Sequence, residues 1–251
     1  YMDIAPEDKC ENVRREICLL LEQMGIYPES SHHEEGPGQN EIDFRYSDPL
    51  TAADNTLTFQ AVVKTVAERN GLYADFSPKP LRHQPGNGFH INISVKGGNC
   101  EDPLSHMIAG ILAHISELTV FLNPTVASYE RFGGPKAPEY ISWSNQNRSQ
   151  LIRVPAAVDA YRRAELRSPD PTTNPYLAFA LLIYAGLDGI QQKLPLPAPT
   201  DLNLFTASAD ILAGLQRLPL TLREAATLAA NSSFVSQYLP KTIVQTYYNQ
   251  R

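Results

Sequence analysis

Three short stretches alternate strictly between polar and apolar residues, and that alternation constrains the fold more than any other feature. Residues 41–46 place Glu41, Asp43 and Arg45 on one side and Ile42, Phe44 and Tyr46 on the other. Residues 89–94 divide His90, Asn92 and Ser94 from Phe89, Ile91 and Ile93, and residues 163–167 set Arg163, Glu165 and Arg167 together. Side chains on a strand point alternately to opposite faces. Each stretch therefore reads as a strand with an apolar face for a core and a polar face for solvent or a cleft. Residues 31–35, 73–77 and 151–154 read as further strands, together forming a mostly antiparallel sheet.

Between the strands the spacing changes to that of helices. Val13, Ile17, Leu20, Leu21 and Met24 form a stripe over residues 8–25, and Phe59, Val62, Val63 and Val66 another over residues 57–71. Residues 103–122 turn Ile108, Ile111, Leu112, Ile115 and Leu118 inward, and the apolar run 175–190 reads as a buried helix. Residues 221–230 open on Thr221 with Glu224 three positions on, the pattern of a capping box. Pro195 to Pro199 reads as a spacer before a helical end, too weak a boundary to divide the chain, so one α+β domain is expected.

The polar faces carry His, Glu, Arg and Asn beside glycines, not the Lys, Thr and Gln common on wetted sheets. Carboxylates with a neutral imidazole suit a divalent ion such as Mg²⁺ or Mn²⁺. Gly36-Pro37-Gly38 lies between Glu34 and Glu41, so a hairpin there would turn both toward one ion. Arg131, Arg148, Arg153, Arg163 and Arg167 form a set suited to gripping phosphate or carboxylate groups; the alternative is internal pairing with Asp159, Glu165 and Asp170. There is no G-x-S-x-G, Walker A or G-x-G-x-x-G motif, and no cysteine has a nearby histidine, so direct transfer between bound substrates is expected rather than covalent catalysis.

Composition narrows the remaining classes. A net charge of −6 over 251 residues carries no basic stripe for nucleic acid. Cys10, Cys18 and Cys100 are odd in number and lack a C-x-x-C pair, which favours a reducing compartment. The apolar run near residues 176–187 is too short to span a bilayer, and no signal peptide opens the chain, so a cytoplasmic protein without membrane partners is expected. The start at Tyr1 suggests part of something longer.

Several ordered motifs resemble those of the glutamine synthetase superfamily, type I-like. Residues 31–46 resemble its HHE-x-x-PGQ-x-E segment, and Lys79-Pro80 with Gly86-Asn87-Gly88-Phe89-His90 its KP…G-x-G-x-H segment. Asn123-Pro124 with Ser128-Tyr129-Glu130-Arg131 resembles NP…SY-x-R, and Asn147-Arg148-Ser149 with Ile152-Arg153-Val154-Pro155 resembles NRS…IR-x-P. Glu165-Leu166-Arg167-Ser168-Pro169-Asp170-Pro171 to Asn174-Pro175-Tyr176 resembles E-x-R-x-x-DP…NPY, followed by AGLDGI at 185–190. The resemblance weakens over the last sixty or so residues.

The resemblance implies a catalytic domain whose curved, mostly antiparallel sheet is backed by helices. It implies glutamate, ATP and ammonia as substrates, a γ-glutamyl phosphate intermediate, and a homo-oligomeric ring, a dodecamer in the type I pattern. By position, Glu34 and Glu41 would hold a metal near glutamate, and His90 and Glu165 one beside ATP. Arg131 and Arg167 would grip glutamate carboxylates with Gly86 lending backbone contact. Arg148, Arg153 and Arg163 would neutralise phosphate, with Arg131 and Arg148 acting in catalysis and Ser94 lying toward the nucleotide.

Three departures accompany the resemblance. The family's first metal-binding glutamates and its β-grasp domain fall upstream of the segment matching Tyr1, so neither metal site is expected to be complete here. The C-terminal segment is shorter. The flap G-x-E-A-P reads Gly134-Pro135-Lys136-Ala137-Pro138, with lysine at the glutamate that draws a proton from ammonium. Either Lys136 points outward and a carboxylate such as Glu139 serves, or the acceptor is a larger amine such as a polyamine. A third reading is a non-catalytic structural or regulatory subunit.

Overall fold

The computed structural model describes residues 1–96, 100–134, 136–157 and 162–249. Two compact units divide the chain: Tyr1–Phe76 with Pro80–Pro85, and Ser77–Lys79 with Gly86–Arg251.

The first unit runs α1 (Glu11–Gln23), β1 (Pro28–His33), β2 (Asn40–Phe44) and α2 (Pro49–Arg69). β1 and β2 form an antiparallel hairpin that pairs His32 with Glu41 and His33 with Asn40. Ile17 and Leu21 of α1 pack with Val62 and Val66 of α2, and Ile42, Phe44 and Phe59 close the cluster. Met24, expected on the inward stripe, sits at the helix end and is exposed. α2 begins eight residues before the apolar stripe, because Asp48 caps it by accepting from the Thr51 N–H at 3.1 Å and Pro49 starts the first turn. The buried Arg14 joins α1 to the hairpin, bonding Asp8 at 2.7 Å, Ser31 Oγ at 3.0 Å and Asn40 Oδ1 at 2.6 Å.

The expected strand at residues 73–77 does not form. Phe76 instead packs edge-on against Phe59 at 6.4 Å, with Lys64 over its ring.

The second unit holds a four-stranded sheet in the order β3 (Ile91–Ile93), β6 (Ala164–Leu166), β5 (Ile152–Val154), β4 (Trp143–Asn145). Only β4 and β5 are parallel. β4 is too short and polar to show alternation. It is fixed from outside: Trp143 Nε1 donates to Pro197 O at 2.7 Å, and the Thr200 N–H to Trp143 O at 2.8 Å.

Leu151, Ile152 and Leu166 share one core with α3 (Pro103–Leu122), α5 (Pro175–Gln192) and α7 (Leu222–Asn231). α4 (Val126–Tyr129), α6 (Ala209–Ala213), α8 (Ser233–Tyr238) and α9 (Lys241–Tyr248) complete the helices. α3 is long and apolar enough to cross a membrane by length and composition, but 67% of its most apolar 18-residue stretch is buried in this core. All five of its predicted inward residues are buried.

α5 is less enclosed than expected. Tyr176, Tyr184 and Leu187 remain exposed, and Tyr184 stacks on Tyr238 at 3.9 Å. Its inner face meets α3 backbone to backbone: a Cβ added to Gly110 would lie 2.1 Å from Ala185 O, and one on Gly189 2.1 Å from His106 O. Thr221 caps α7 as predicted, accepting from the Glu224 N–H at 3.1 Å, while the Glu224 carboxylate accepts from the Leu220 N–H one residue away from the box position.

Candidate active site

In the first unit, the turn between β1 and β2 is closed by Glu34 N–H donating to Gln39 O at 2.8 Å. This brings His32, Glu34 and Glu41 together, one ligand atom from each lying within 4.8 Å of the others. His32 Nε2 is 3.4 Å from Glu34 Oε1 and 3.9 Å from Glu41 Oε2. Sequence reasoning selected the two carboxylates and missed His32. The signal was present: His32 and Glu34 are two apart in the stretch read as a strand from 31 to 35, an alternation that would give them one face, and the hairpin sets His32 opposite Glu41.

In the second unit, register organises the polar face. Glu165 on β6 lies opposite Asn92 on β3 and Arg153 on β5. Glu165 is almost fully buried, with 4% exposure. Its Oε2 accepts from Arg153 Nε at 2.6 Å and its Oε1 from Arg167 Nη1. His90 Nδ1 lies 3.4 Å from that same Oε1. Arg163 Nε donates to Asn92 Oδ1 at 3.0 Å, and Arg167 Nε to Arg148 O at 3.1 Å.

Arg131 enters from α4's end. Its Nη1 donates to Ser168 O at 3.0 Å and its Nη2 to Pro169 O at 3.4 Å. Gly86 lies against it: a Cβ there would meet Pro78 O at 2.6 Å and Arg131 Cγ at 2.7 Å, so only glycine fits. A Cβ on Gly88 would fall 3.0 Å from His90 Nε2 and 3.5 Å from Arg131 Nη2, so imidazole and guanidinium both border this glycine.

The electrostatics follow from this crowding. Burial first, then the cations Arg167, Arg131, Arg153 and Lys136, hold His90 well below the usual imidazole range. It is neutral at pH 7, the form that ligates metal. Burial lowers the Arg131 pKa to about 10, with Asp170 opposing, and lowers that of Arg167 against the pull of Glu165.

The donor set fits divalent ions. Two ligands about 2.1 Å from one ion at roughly a right angle or slightly more stand about 3.0–3.4 Å apart, which matches the His90–Glu165 spacing of 3.4 Å. Pairing with Arg153 and Arg167 fixes the carboxylate in place. The expected internal pairing of arginines is thus partly realised: Glu165 takes two of them, and Asp170 lies 3.9 Å from Arg131. Asp159 lies outside the described residues.

Two predicted residues are exposed at the edge of this network. Ser94 is exposed, one residue beyond β3, and the Arg148 side chain is exposed while its carbonyl serves Arg167. In the flap, Pro135 lies outside the described residues. Lys136 adopts positive φ (61°), and the Gly133 N–H donates to Ala137 O at 3.0 Å across the turn. Glu139 pairs with Arg217 at 2.9 Å.

Known proteins are similar to this chain in sequence and in structure. The family model for the glutamine synthetase catalytic domain matches residues 1–251. A glutamine synthetase of Methanosarcina mazei is 46% identical over 98% of this chain and 59% of its own length. One from Clostridium saccharobutylicum is 44% identical over 98% and 59%, and one from Staphylococcus aureus 42% identical over 100% and 60%. The chain thus spans about three-fifths of these relatives. A solved ADP complex of GmaS superposes with a TM-score of 0.84 at 31% identity, covering 94% of this chain and 58% of that one. A ligand-free GmaS gives 0.84 at 30% identity, covering 98% and 60%. This chain belongs to the glutamine synthetase catalytic-domain family.

Proposed function

We propose that the chain is the catalytic part of an ATP-dependent ligase that makes glutamine from glutamate and ammonia. The observation that carries this reading is Glu165, a buried carboxylate held between Arg153 and Arg167 with a neutral His90 at 3.4 Å. That combination of anion, imidazole and fixed cations suits a metal–phosphate complex more than a plain core. The relatives named glutamine synthetase and the ADP-bound GmaS structure support it.

In this reading His90 and Glu165 hold one ion, Mg²⁺ or Mn²⁺, and Glu34, Glu41 and His32 hold another. Bound ions would supply positive charge against the polyphosphate. Arg131 and Arg167 orient the glutamate carboxylates, and Gly86 lends a backbone contact. Arg148, Arg153 and Arg163 oppose the charge on the transferred phosphoryl group, Arg148 and Arg131 acting nearest the reaction, and Ser94 faces the nucleotide. A γ-carboxylate oxygen bonds to the terminal phosphorus as the bond from that phosphorus to ADP breaks. The amine nitrogen then bonds to the acyl carbon, and phosphate departs with the electrons of the carbon–oxygen bond. The surplus amine proton passes to a carboxylate or to water. Such a transfer depends on positioning and charge neutralisation rather than on a protein nucleophile. The same reading implies a ring of identical cytoplasmic subunits, which light scattering of the full-length protein tests.

A second reading is favoured by Lys136, whose positive charge adds to the field around His90. A cation there opposes ammonium and suits an acceptor arriving as a neutral, larger amine. Phosphate release by the full-length protein with glutamate and ATP, compared for ammonium, ethylamine and putrescine, separates the two. Ammonium far ahead supports glutamine synthesis; an amine far ahead supports the second reading. No ADP formed with any acceptor, or turnover unchanged in Glu165→Ala, overturns both.

A further inference from the structure

The motif residue Asp170 has no role in the mechanism above, yet it is completely enclosed, with 0% exposure. Its carboxylate accepts from Asn123 Nδ2 at 3.2 Å and from the Thr172 N–H at 2.9 Å, and also from the Thr172 hydroxyl. Its Oδ2 lies 3.9 Å from Arg131 Nη1 and is the only carboxylate oxygen within 4.0 Å of that guanidinium among the described residues. Glu165 serves Arg153 and Arg167 instead.

Among the described residues, the polar partners of Arg131's guanidinium come from the tripeptide 168–170: the carbonyls of Ser168 and Pro169, and the Asp170 carboxylate. Nε has no partner among the described residues. The tripeptide is itself anchored on two sides. Asn123 Nδ2 donates to Ser168 O at 2.8 Å, and the Asp170 N–H to Leu122 O at 3.3 Å, tying it to the end of α3. The Phe89 N–H donates to Pro169 O at 2.8 Å, tying it to the residue next to His90. A guanidinium removed from water needs an opposing charge, or it turns toward whatever water or anion it can reach.

We infer that Asp170 is a positioning residue. Its carboxylate, with the Ser168 and Pro169 carbonyls, holds the Arg131 guanidinium in the pose that receives a substrate carboxylate. This inference rests on the ligase reading of the same site. Asp170 touches no substrate; it acts through Arg131 alone.

The test is a double-mutant cycle in the full-length protein, read as glutamate KM, kcat and ADP affinity. Asp170→Asn is expected to raise the glutamate KM about tenfold or more, with a smaller fall in kcat through Arg131 and ADP affinity unchanged. In an Arg131→Lys background the same change adds little, because the group it positions is gone. Thr172→Val, which removes only one hydroxyl from the carboxylate, produces a smaller rise in the same parameter and covers the case in which Asp170→Asn does not fold. A glutamate KM unmoved in both variants, or raised equally in the Arg131→Lys background, overturns the positioning role. A wild-type protein that forms no ADP with any acceptor overturns the ligase reading instead, so the two failures are distinct.

Discussion

Glu165 and Arg153 face each other across the β5–β6 ladder, with Arg153 Nε 2.6 Å from Glu165 Oε2. On the other side Arg167, itself 2% exposed, takes the second carboxylate oxygen. One buried anion therefore holds two cations. Glu165→Gln keeps the shape and removes the charge, leaving both guanidiniums without their counter-ion. Breaking a buried pair from one side costs about 3–5 kcal/mol. Because Arg153 keeps 20% of its side chain in solvent, the loss here should fall nearer about 3 kcal/mol. Urea denaturation checks this, and ADP formation should fall by about a hundredfold or more. A variant as stable and active as the parent would show that the network is ornamental.

The hairpin cluster makes a separate demand. His32 offers an imidazole nitrogen beside Glu34 and Glu41. His32→Ala is expected to weaken Mn²⁺ binding to the protein about tenfold or more, since losing even a group that only orients a metal ligand costs about 10–100-fold. Its stability should change little, since His32 is half-buried and outside the apolar cluster. Equilibrium dialysis with Mn²⁺ reads the affinity directly, and an unchanged affinity removes His32 from the ligand set.

Much of this was legible because it is periodic. The inward residues of α3, the stripe on α2 and the alternation in β2, β3 and β6 each repeat a spacing that geometry demands. What stayed hidden is non-local. β4 exists through its pairing with β5, which three polar-leaning residues cannot announce. The extended residues 73–77 have strand-like composition but no ladder partner among the described residues. The early start of α2 was written in Asp48-Pro49, the same cap-then-proline device that opens α3 at Asp102-Pro103 and α5 at Asn174-Pro175. At the site, the polar strand faces pointed to Glu34, Glu41, His90 and the arginines, and the family motifs gave them roles. Neither could show that Glu165 would take two of those arginines, or that His32 would land opposite Glu41, because both facts depend on register.

The α3–α5 contact predicts a sharp steric penalty. A methyl group on Gly110 would sit 2.1 Å from Ala185 O and 2.7 Å from Gly189 N, all backbone atoms that cannot swing aside. Gly110→Ala raises helix propensity by about 1 kcal/mol, yet it must push two core helices apart. Overpacking of this kind costs about 1–3 kcal/mol or more, so a net loss is expected. The urea midpoint should drop, and a rise would mean that the helices separate freely.

His114 sets a pH dependence of defined sign. Its Nδ1 lies 2.5 Å from Glu117 Oε1 and its Nε2 3.0 Å from Asp188 Oδ2, while its ring stacks on Phe234 at 3.8 Å. It thus links α3, α5 and α8. Burial opposes the charge, but bonds to the two carboxylates outweigh it and raise the pKa. Both ring nitrogens can donate only when the imidazole is protonated. The folded state therefore holds this proton more tightly than the unfolded chain does. The stabilisation is complete below the unfolded value of about 6.5 and is lost as pH rises through the folded value. His90 acts in the opposite sense: its pKa is depressed, so its contribution declines as pH falls below about 6.5. The pH-stability profile of His114→Gln, measured by urea denaturation from pH 5.5 to 8.5, should lose the alkaline decline that this residue adds to the parent. An equal slope in both proteins on the alkaline side would show that the His114 bonds do not carry it.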